Sequence, residues 1–468
     1  MKSKSYPLPI SRQINTNFRN YALYVLENRG IPSFYDGLTN VQRFIVLNSP
    51  SNFNKTISLV GSCISDGYHH GDKSLIGAIN KLARPFGCSE QILIGDGFFG
   101  TPVNHEASAA RYTSIKINPP INEMIRKNNF LHKKNDEGGW EPLWIDMPIG
   151  LTNTIIGIAV GYKTTILPRS LKDVEKYFNG KLKEVKPSFI GFTGKITRYR
   201  GMDKSWLIEG VCSRNDKDRS LKITELSPLM RYSGFLKKLD KILDLYPNTK
   251  IINNSSTNVD ITLQYSARDG WDSFATAVEK SIKMLVTETP VFVKDGLVLE
   301  YDRIEHYLDD YKYRVAQLRL KRAEYYTQVC SEELEFNRAK KLYLEYMLQT
   351  KRTETEIDKF LDKWSKVGNI KRRLESIYLK NLNTQELERT VKRIAELEID
   401  LIKNQTELNE SKTIFEGMID TTLARGKRSS VSTYDLFSDE TEIDGIEVFG
   451  NLTEDDEIEN PEITDEYE

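Results

Sequence analysis

Cysteine is scarce. The chain has four in 468 residues, Cys63, Cys88, Cys212 and Cys330, far apart and without CxxC spacing. That excludes a disulfide framework, argues against structural zinc and fits a reducing compartment. Histidine numbers only five, and no zinc-ligand cluster is apparent. No run of about 18 apolar residues occurs, so no membrane-spanning helix is expected. The opening stretch MKSKSYPLPISRQ has no apolar core, so no secretory signal is expected. No GxxxxGK[ST] phosphate loop is present. Positive charge is missing from the last stretch, where 15 acids and no base lie between Asp435 and Glu468.

What is present is a basic body before that acidic end. The net charge of −1 hides it, because residues 1–434 hold 66 basic and 52 acidic side chains. Residues 1–135 alone hold 16 basic against 8 acidic. An excess of this kind suits contact with nucleic acid, though its sign alone is weak evidence. With 39% hydrophobic and 28% charged residues the chain can build buried cores, and at roughly 150 residues per domain its length suggests about three domains.

Periodicity divides the chain. Leu75, Ile76, Ile79, Leu82 and Ala83 fall on one helix face, which predicts a helix over about 73–84 capped by Asp72 or Ser74. Gln91–Ile94 reads as a strand entering the tight Gly95–Gly100 loop, and 136–140 as a boundary loop. Strands are expected at Ile155–Tyr162, Ser188–Tyr199, Trp206–Val211 and Pro290–Leu299, with helices near 171–179, 227–244 and 270–286. That mixture predicts an α/β middle domain. Residues 302–349 contain no Gly or Pro, and Leu387, Ile394, Leu401 and Leu408 recur every seven residues. An antiparallel pair of long helices follows, with a broken helical segment near 350–382 between them.

Five short motifs then fall in order. Arg29-Gly30-Ile31-Pro32-Ser33 is followed by Asp36-Gly37-Leu38 and Gln42-Arg43; next come Tyr68-His69-His70-Gly71-Asp72-Lys73-Ser74-Leu75, the loop Gly95–Thr101, Ala109-Ala110-Arg111-Tyr112-Thr113, and Gly157-Ile158-Ala159-Val160-Gly161. Each alone is a weak signal. Together, over residues 29–161, they resemble the R-x-I-P-S-x-x-DG, YHHGE-x-SL, G-x-x-FGT/S, A-x-x-RY and GIAVG blocks of type IIA DNA topoisomerases. Without a Glu…Asp-x-Asp pattern for a metal-binding TOPRIM domain, the chain resembles the breakage–reunion subunit of a split enzyme, as in gyrase. Its short length and YHHG spelling are most like the medium-subunit type of T-even-type phages.

The resemblance assigns roles that chemistry supports. A tyrosine hydroxyl can attack a phosphodiester and keep the bond energy in a phosphotyrosine ester. With a free pKa near 10, only about 0.1% is phenolate at pH 7, so help is needed. The resemblance implies Tyr112 as nucleophile, Arg111 and Arg29 as phosphate cations, and His70, rather than His69, as hydrogen-bond donor or proton carrier. Taken singly, most tyrosines and histidines are structural. Ile158 resembles the isoleucine that wedges between base pairs, a step that costs a few kcal/mol of unstacking; alone it would read as strand core. Lys55 is a candidate backbone contact. Lys73, Asn80, Lys81 and Arg84 could face a groove from the 73–84 helix, the second of a helix-turn-helix. Ser74 carries over as drug-proximal. Thr39 stands where the family has a lysine after its DG block, which puts one DNA contact in doubt unless Arg43 or Lys73 substitutes.

The expected architecture is therefore α+β multidomain: a winged-helix DNA-cleavage domain (1–135), an α/β tower domain (136–300), a long antiparallel coiled coil with a helical C-gate dimer domain (301–425), and a disordered acidic tail (426–468). The implied activity is DNA cleavage and religation through a transient 5′-phosphotyrosyl link, within an ATP-dependent type II topoisomerase. Expected partners are double-stranded DNA, an ATPase/TOPRIM subunit holding Mg²⁺ and ATP, and a second copy of the chain at the C-gate, with no membrane contact. The expected place of action is the cytoplasm, that of a bacterial host if the chain is phage-encoded. A coiled-coil DNA organiser without catalysis is the alternative; it gives no reason for the RY context of Tyr112. A tyrosine recombinase would want H-x-x-R before its tyrosine, and none of the five histidines has Arg three residues later.

Overall fold

The computed structural model describes residues 17–423 and 430–432, except 19, 23, 137, 268, 350–352, 365–368 and 378–381. These fall into two units, divided within a long helix at 312/313, with Ser430–Ser432 returning to the first unit.

In the first unit, a helical run through Tyr24 and Val25 widens into a π-helical turn, Leu26–Gly30. Helix α1 (Asn40–Asn48) starts at Thr39, whose capping box with Gln42 satisfies amides at the helix start. Strand β1 (Asn54–Lys55) leads into α2 (Thr56–Ser65), and α3 (Asp72–Ala83) follows. The predicted periodicity holds in α3, where Leu75, Ile79, Leu82 and Ala83 are buried. Its cap differs from expectation. Gly71 is the N-cap with no side-chain cap bond, and Asp72 is the first helical residue. There its carboxylate favours the positive end of the helix dipole. Strands β2 (Leu93–Asp96) and β3 (Ser114–Ile117) complete an antiparallel sheet in the order β1-β3-β2, and α4 (Pro119–Arg126) follows.

This first core does not stop at 135. Leu143, Ile145, Ile149 and Leu171 join it. Buried Asp36 explains the tie, accepting from Leu38 N–H, Arg43 Nε (2.7 Å) and Leu143 N–H (2.9 Å). The 136–140 segment also folds back, since Trp140 Nε1 and Lys134 Nζ both donate to Asp66.

The expected single strand over 155–162 is a hairpin, β4 (Ile155–Ala159) and β5 (Tyr162–Ile166), because Gly161 takes a left-handed φ of 80°. Helix α5 (Leu171–Phe178) follows. In the middle region only β6 (Lys195–Arg198) forms from the predicted 188–199 strand. Strands β7 (Ser205–Glu209), β8 (Val211–Asn215) and β9 (Ser220–Glu225) precede α6 (Tyr232–Leu245). Then come β10 (Thr249–Asn253), β11 (Ile261–Tyr265), α7 (Trp271–Ser281) and β12 (Lys283–Thr287). The predicted helix over 270–286 thus ends at Ser281, and its remainder pairs with β7. Two sheets result, β12-β7-β6 and β10-β11-β9-β8, every pair antiparallel. The middle region is therefore α+β rather than α/β, because its strands are not linked as the parallel neighbours that crossover helices create. Its core gathers Trp206, Ile208, Phe235, Ile261 and Phe274.

The expected 290–299 strand is likewise a hairpin, β13 (Val291–Lys294) and β14 (Leu297–Glu300). Asp295 and Gly296 close it with φ of 51° and 74°, the pattern that Asp-Gly favours in a two-residue turn. Strand β15 (Ser430–Ser432) pairs with β14. The rest of the expected acidic tail lies outside the described residues.

The long helix α8 runs over Ile304–Gln349. Within the second unit it pairs antiparallel with α11 (Thr384–Leu423), preceded by α9 (Glu354–Leu361) and α10 (Ile370–Glu375). The direction follows from contacts: Tyr313 meets Phe415, Cys330 meets Leu397, and Lys340 meets Glu386. Cys330, Leu334, Ile394, Leu397 and Leu401 form the seam. A separate core of Ala339, Tyr343, Leu361, Ile370 and Leu374 joins the short helices to α8.

Candidate active site

Tyr112 sits on the long β2–β3 connection and is 71% exposed. Both sides of it are anchored. Ala110 is buried and its carbonyl accepts from Ile57 N–H at 3.2 Å. Thr113 is fully buried, its carbonyl accepts from Thr56 N–H at 3.0 Å, and its hydroxyl lies 2.8 Å from that of Thr56. A short segment fixed at two buried points has one way to project its middle, so Arg111 and Tyr112 point outward on a rigid base. Arg111 Cζ lies 5.6 Å from the Tyr112 ring centroid, a cation–π arrangement that holds the guanidinium beside the phenol. Among the described residues the Tyr112 hydroxyl has no hydrogen-bond partner.

Arg29 and His70 are brought together from residues 41 apart. An Arg29 Nη lies 3.0 Å from His70 Nδ1, and the Tyr24 hydroxyl lies 2.7 Å from His70 Nε2. The Arg29 guanidinium also stands 5.5 Å from the Tyr24 ring centroid. The His69 ring lies 4.2 Å from that of His70 at a tilt of 45°, and the Tyr68 ring meets His70 edge-on at 5.4 Å. Partial burial, then the charges of Arg29 and His69, hold the His70 imidazolium pKa below its ordinary value. The ring is therefore neutral near pH 7.

Ile158 is 60% exposed on the β4–β5 hairpin, and Ile156, two residues earlier, is 49% exposed on the same face. The hairpin is held against the π-helical turn by a close backbone approach. A Cβ on Gly157 would collide with the Gly30 carbonyl, and one on Gly30 would lie 2.6 Å from the Ile158 carbonyl oxygen. Only glycine at both positions permits this contact. It sets Arg29, the neighbour of Gly30, beside the strand that carries Ile158.

The remaining predicted contacts divide. Lys55 at the start of α2, and Lys73 and Lys81 on α3, are exposed. Arg43 is not available: it is buried, its Nε donates to Asp36 at 2.7 Å and an Nη to the Leu38 carbonyl. Breaking that pair would leave a buried carboxylate uncompensated, so Arg43 is a core residue. Arg84 is also turned away from the expected exposed face. It is half-buried, donates to the His105 carbonyl at 3.0 Å and lies over the Phe86 ring. Asn80 is half-buried rather than exposed. Thr39, in place of the family lysine, caps α1. Ser74 is exposed, donates to the Gly71 carbonyl and lies 3.0 Å from the Tyr68 hydroxyl.

Among the described residues no three His, Cys, Asp or Glu side chains converge on a potential metal position, and no helix is long and apolar enough to cross a membrane. Two residues escaped sequence reasoning. Ile156 lies unremarked within the expected 155–162 strand, although alternation along β4 places it on the same face as Ile158. Tyr24 carried no signal, because its five-residue spacing to Arg29 matters only in a widened turn.

The family model of the DNA gyrase/topoisomerase IV A-subunit matches residues 29–424. The DNA topoisomerase medium subunit of Enterobacteria phage T4 is 30% identical over 195 residues, covering 39% of this chain and 44% of that protein. The DNA gyrase A-subunit of Clostridium acetobutylicum is 33% identical over 186 residues, covering 37% of this chain and 22% of that protein. The matched stretch thus spans less than half the length of either relative. Among solved structures, the Plasmodium falciparum topoisomerase II DNA-binding, cleavage and re-ligation domain superposes with a TM-score of 0.72 at 20% identity, covering 87% of this chain and 65% of that one. That likeness concerns the fold.

Proposed function

The chain belongs to the DNA gyrase/topoisomerase IV A-subunit family, and from that premise we propose that it is the DNA cleavage and religation subunit of an ATP-dependent type II topoisomerase. The observation that carries the reading is Tyr112: a free, exposed hydroxyl on a segment pinned by Ala110 and Thr113, with Arg111 against its ring.

In this proposal the Tyr112 oxygen attacks a backbone phosphorus. The new bond is Tyr112 O–P, the broken one is P–O3′, and the DNA 3′-hydroxyl leaves with a proton equivalent to the one tyrosine gives up. Resealing is the same exchange reversed and needs no added energy. Arg111 offers its guanidinium fork to the non-bridging oxygens, where charge develops. Arg29 supplies a second cation, and neutral His70 offers a ring nitrogen as a proton acceptor. Ile158, with Arg29 behind it, presents an apolar wedge to a base step, and the bend it causes widens the contact. Lys55, Lys73 and Lys81 bind backbone phosphates, a term that salt weakens.

The proposal assigns Mg²⁺ and ATP to a TOPRIM/ATPase partner subunit. Mg²⁺ there would stabilise charge on the leaving oxygen. The finer architecture belongs to the same reading. The β1-β3-β2 region serves as the winged-helix cleavage domain and the two middle sheets as the tower. The α8–α11 pair serves as the coiled coil leading to a dimerising gate. Two copies would cut opposite strands, and a second duplex would pass, giving relaxation and decatenation in the cytoplasm that holds the DNA, a bacterial host's for a phage enzyme.

The test is covalent trapping. Purified chain, candidate ATPase–TOPRIM subunit, Mg²⁺ and end-labelled supercoiled DNA are mixed and then denatured. Protein linked to the 5′ ends, lost in Tyr112→Phe, is the expected result. Tight binding by the full complex with no covalent product would favour the organiser reading instead.

A further inference from the structure

His70 has both ring nitrogens engaged, and the chemistry of the two partners decides which one carries the proton. A guanidinium only donates. Arg29 approaches Nδ1 at 3.0 Å, so in a hydrogen bond Nδ1 must be the bare, accepting nitrogen. A neutral imidazole then carries its proton on Nε2, and Nε2–H donates to the Tyr24 hydroxyl oxygen at 2.7 Å. The reverse tautomer would set an Nδ1–H against the Arg29 N–H and lose that bond.

The backbone makes this triangle possible. In an α-helix, residues five apart lie about 140° apart around the axis, on different faces. Between Tyr24 and Arg29 the helix widens into a π-turn, in which Ile31 N–H donates to the Leu26 carbonyl at 3.4 Å. The wider turn brings the Arg29 guanidinium over the Tyr24 ring, and such turns recur at functional sites. Tyr24 therefore touches both members of the pair implied for the cleavage chemistry.

We propose that Tyr24 is a positioning residue that locks His70 in its Nε2–H tautomer and reserves Nδ1, shared with Arg29, as the nitrogen that becomes available when Arg29 turns to a DNA phosphate. This rests on the cleavage function proposed above for its consequence, though not for the tautomer itself. A phosphodiester's anionic oxygens are better partners for guanidinium than an imidazole nitrogen is, because the bond is charge-assisted on both sides. Binding DNA thus releases Nδ1 as a proton acceptor, while Tyr24 keeps the ring from turning. The same release removes the nearest cation from the imidazole, which raises its proton affinity on DNA binding. The groups facing His70 are Tyr24 and Arg29 from the N-terminal helix and its π-turn, with His69 and Tyr68 from its own loop.

The test has two readings. Nitrogen-15 NMR of histidine-labelled full chain, free of DNA, reports the tautomer. His70 should show the Nε2–H form in the native chain and a mixture in Tyr24→Phe. Tyr24→Gln, whose amide oxygen can accept from Nε2–H, should restore part of it. In the complete complex with its partner subunit, Tyr24→Phe should slow covalent cleavage about tenfold, a part of the roughly 10²–10⁴-fold that a whole general acid–base group contributes. It should also displace the acid limb of the pH–rate profile while DNA affinity stays unchanged. Matching thermal unfolding curves would show that the variant folds. An unchanged His70 tautomer and an unchanged pH profile in Tyr24→Phe would overturn the proposal. If the tautomer changes but native protein forms no covalent complex, the cleavage reading fails while the assignment of Tyr24 as the lock on the tautomer stands.

Discussion

The loop around Tyr112 and the aromatic cluster at the start of α8 are both built on tyrosine, and they use its hydroxyl in opposite ways. Tyr307 is completely buried, donates to the Phe34 carbonyl at 2.9 Å and stacks on Phe292 at 4.0 Å. The single Tyr311 hydroxyl proton is shared between the carbonyls of Ile145 (2.9 Å) and Tyr35 (3.1 Å). These hydroxyls satisfy carbonyls in loops that have no ladder partner, and burial drives the Tyr307 pKa well above its ordinary value. Tyr112 is held by its backbone neighbours instead, which leaves its oxygen free to react. Fixing a side chain through the main chain beside it, rather than through its own polar atom, is how a nucleophile can be both placed and available.

The largest expected effect lies on the Tyr112 side. Tyr112→Phe should reduce covalent complex to background while moving unfolding stability by no more than about 0.5 kcal/mol, the usual range for an exposed substitution. Calorimetry alongside trapping checks this, and a large loss of stability would break the contrast. Tyr307→Ala should do the reverse, costing roughly 3–5 kcal/mol of stability as a large buried ring is removed. Tyr307→Phe isolates the hydroxyl and should cost about 1–3 kcal/mol by leaving the Phe34 carbonyl unpaired. Denaturant melts of the two variants separate ring from hydrogen bond.

A third variant asks whether main-chain placement also governs Arg29 and Ile158. Gly157→Ala forces a methyl into the Gly30 carbonyl and should cost about 1–3 kcal/mol while lowering cleavage, since the hairpin must move off the π-turn. Undiminished cleavage would mean that the glycine contact is not what positions them.

Histidine sharpens the comparison by pH. His105 is half-buried beside Arg84 and Arg231, and burial followed by those two charges lowers its pKa to about 4. Its folded value lies below the unfolded one, so stability is full above about pH 6.5 and is lost as pH falls towards 4. His105→Gln should flatten that acid limb in unfolding midpoints measured across the range. The smallest effect belongs to single surface lysines. Lys81→Ala should leave cleavage chemistry intact and reduce the salt slope of DNA binding by about one unit if it contacts a phosphate.

Legibility differed sharply between the parts. The helix over 73–84 and the long helices were readable because their apolar spacing answers directly to 3.6 or 3.5 residues per turn. Hairpins at 155–166 and 291–300 stand where single strands are expected over 155–162 and 290–299, because apolar character continues through a two-residue turn. In the second hairpin the Asp295-Gly296 pair is itself a readable turn signal, whereas Gly161 in the first shows its role only through its left-handed φ. Charge was the least reliable guide. Arg43 and Lys55 look alike in sequence, yet one neutralises buried Asp36 and the other faces water.

By itself the sequence determined the order of the five motifs, the RY pair within them that the family resemblance marks out, and the separation of a basic body from an acidic end. Those are properties of residue type and spacing. Tertiary structure alone decided which cations are free, which glycines let two backbones touch, and that Tyr24 joins Arg29 and His70. Each of those depends on atoms brought together from distant positions, or on a helical turn one residue wider than the α-helix, and no local periodicity encodes either.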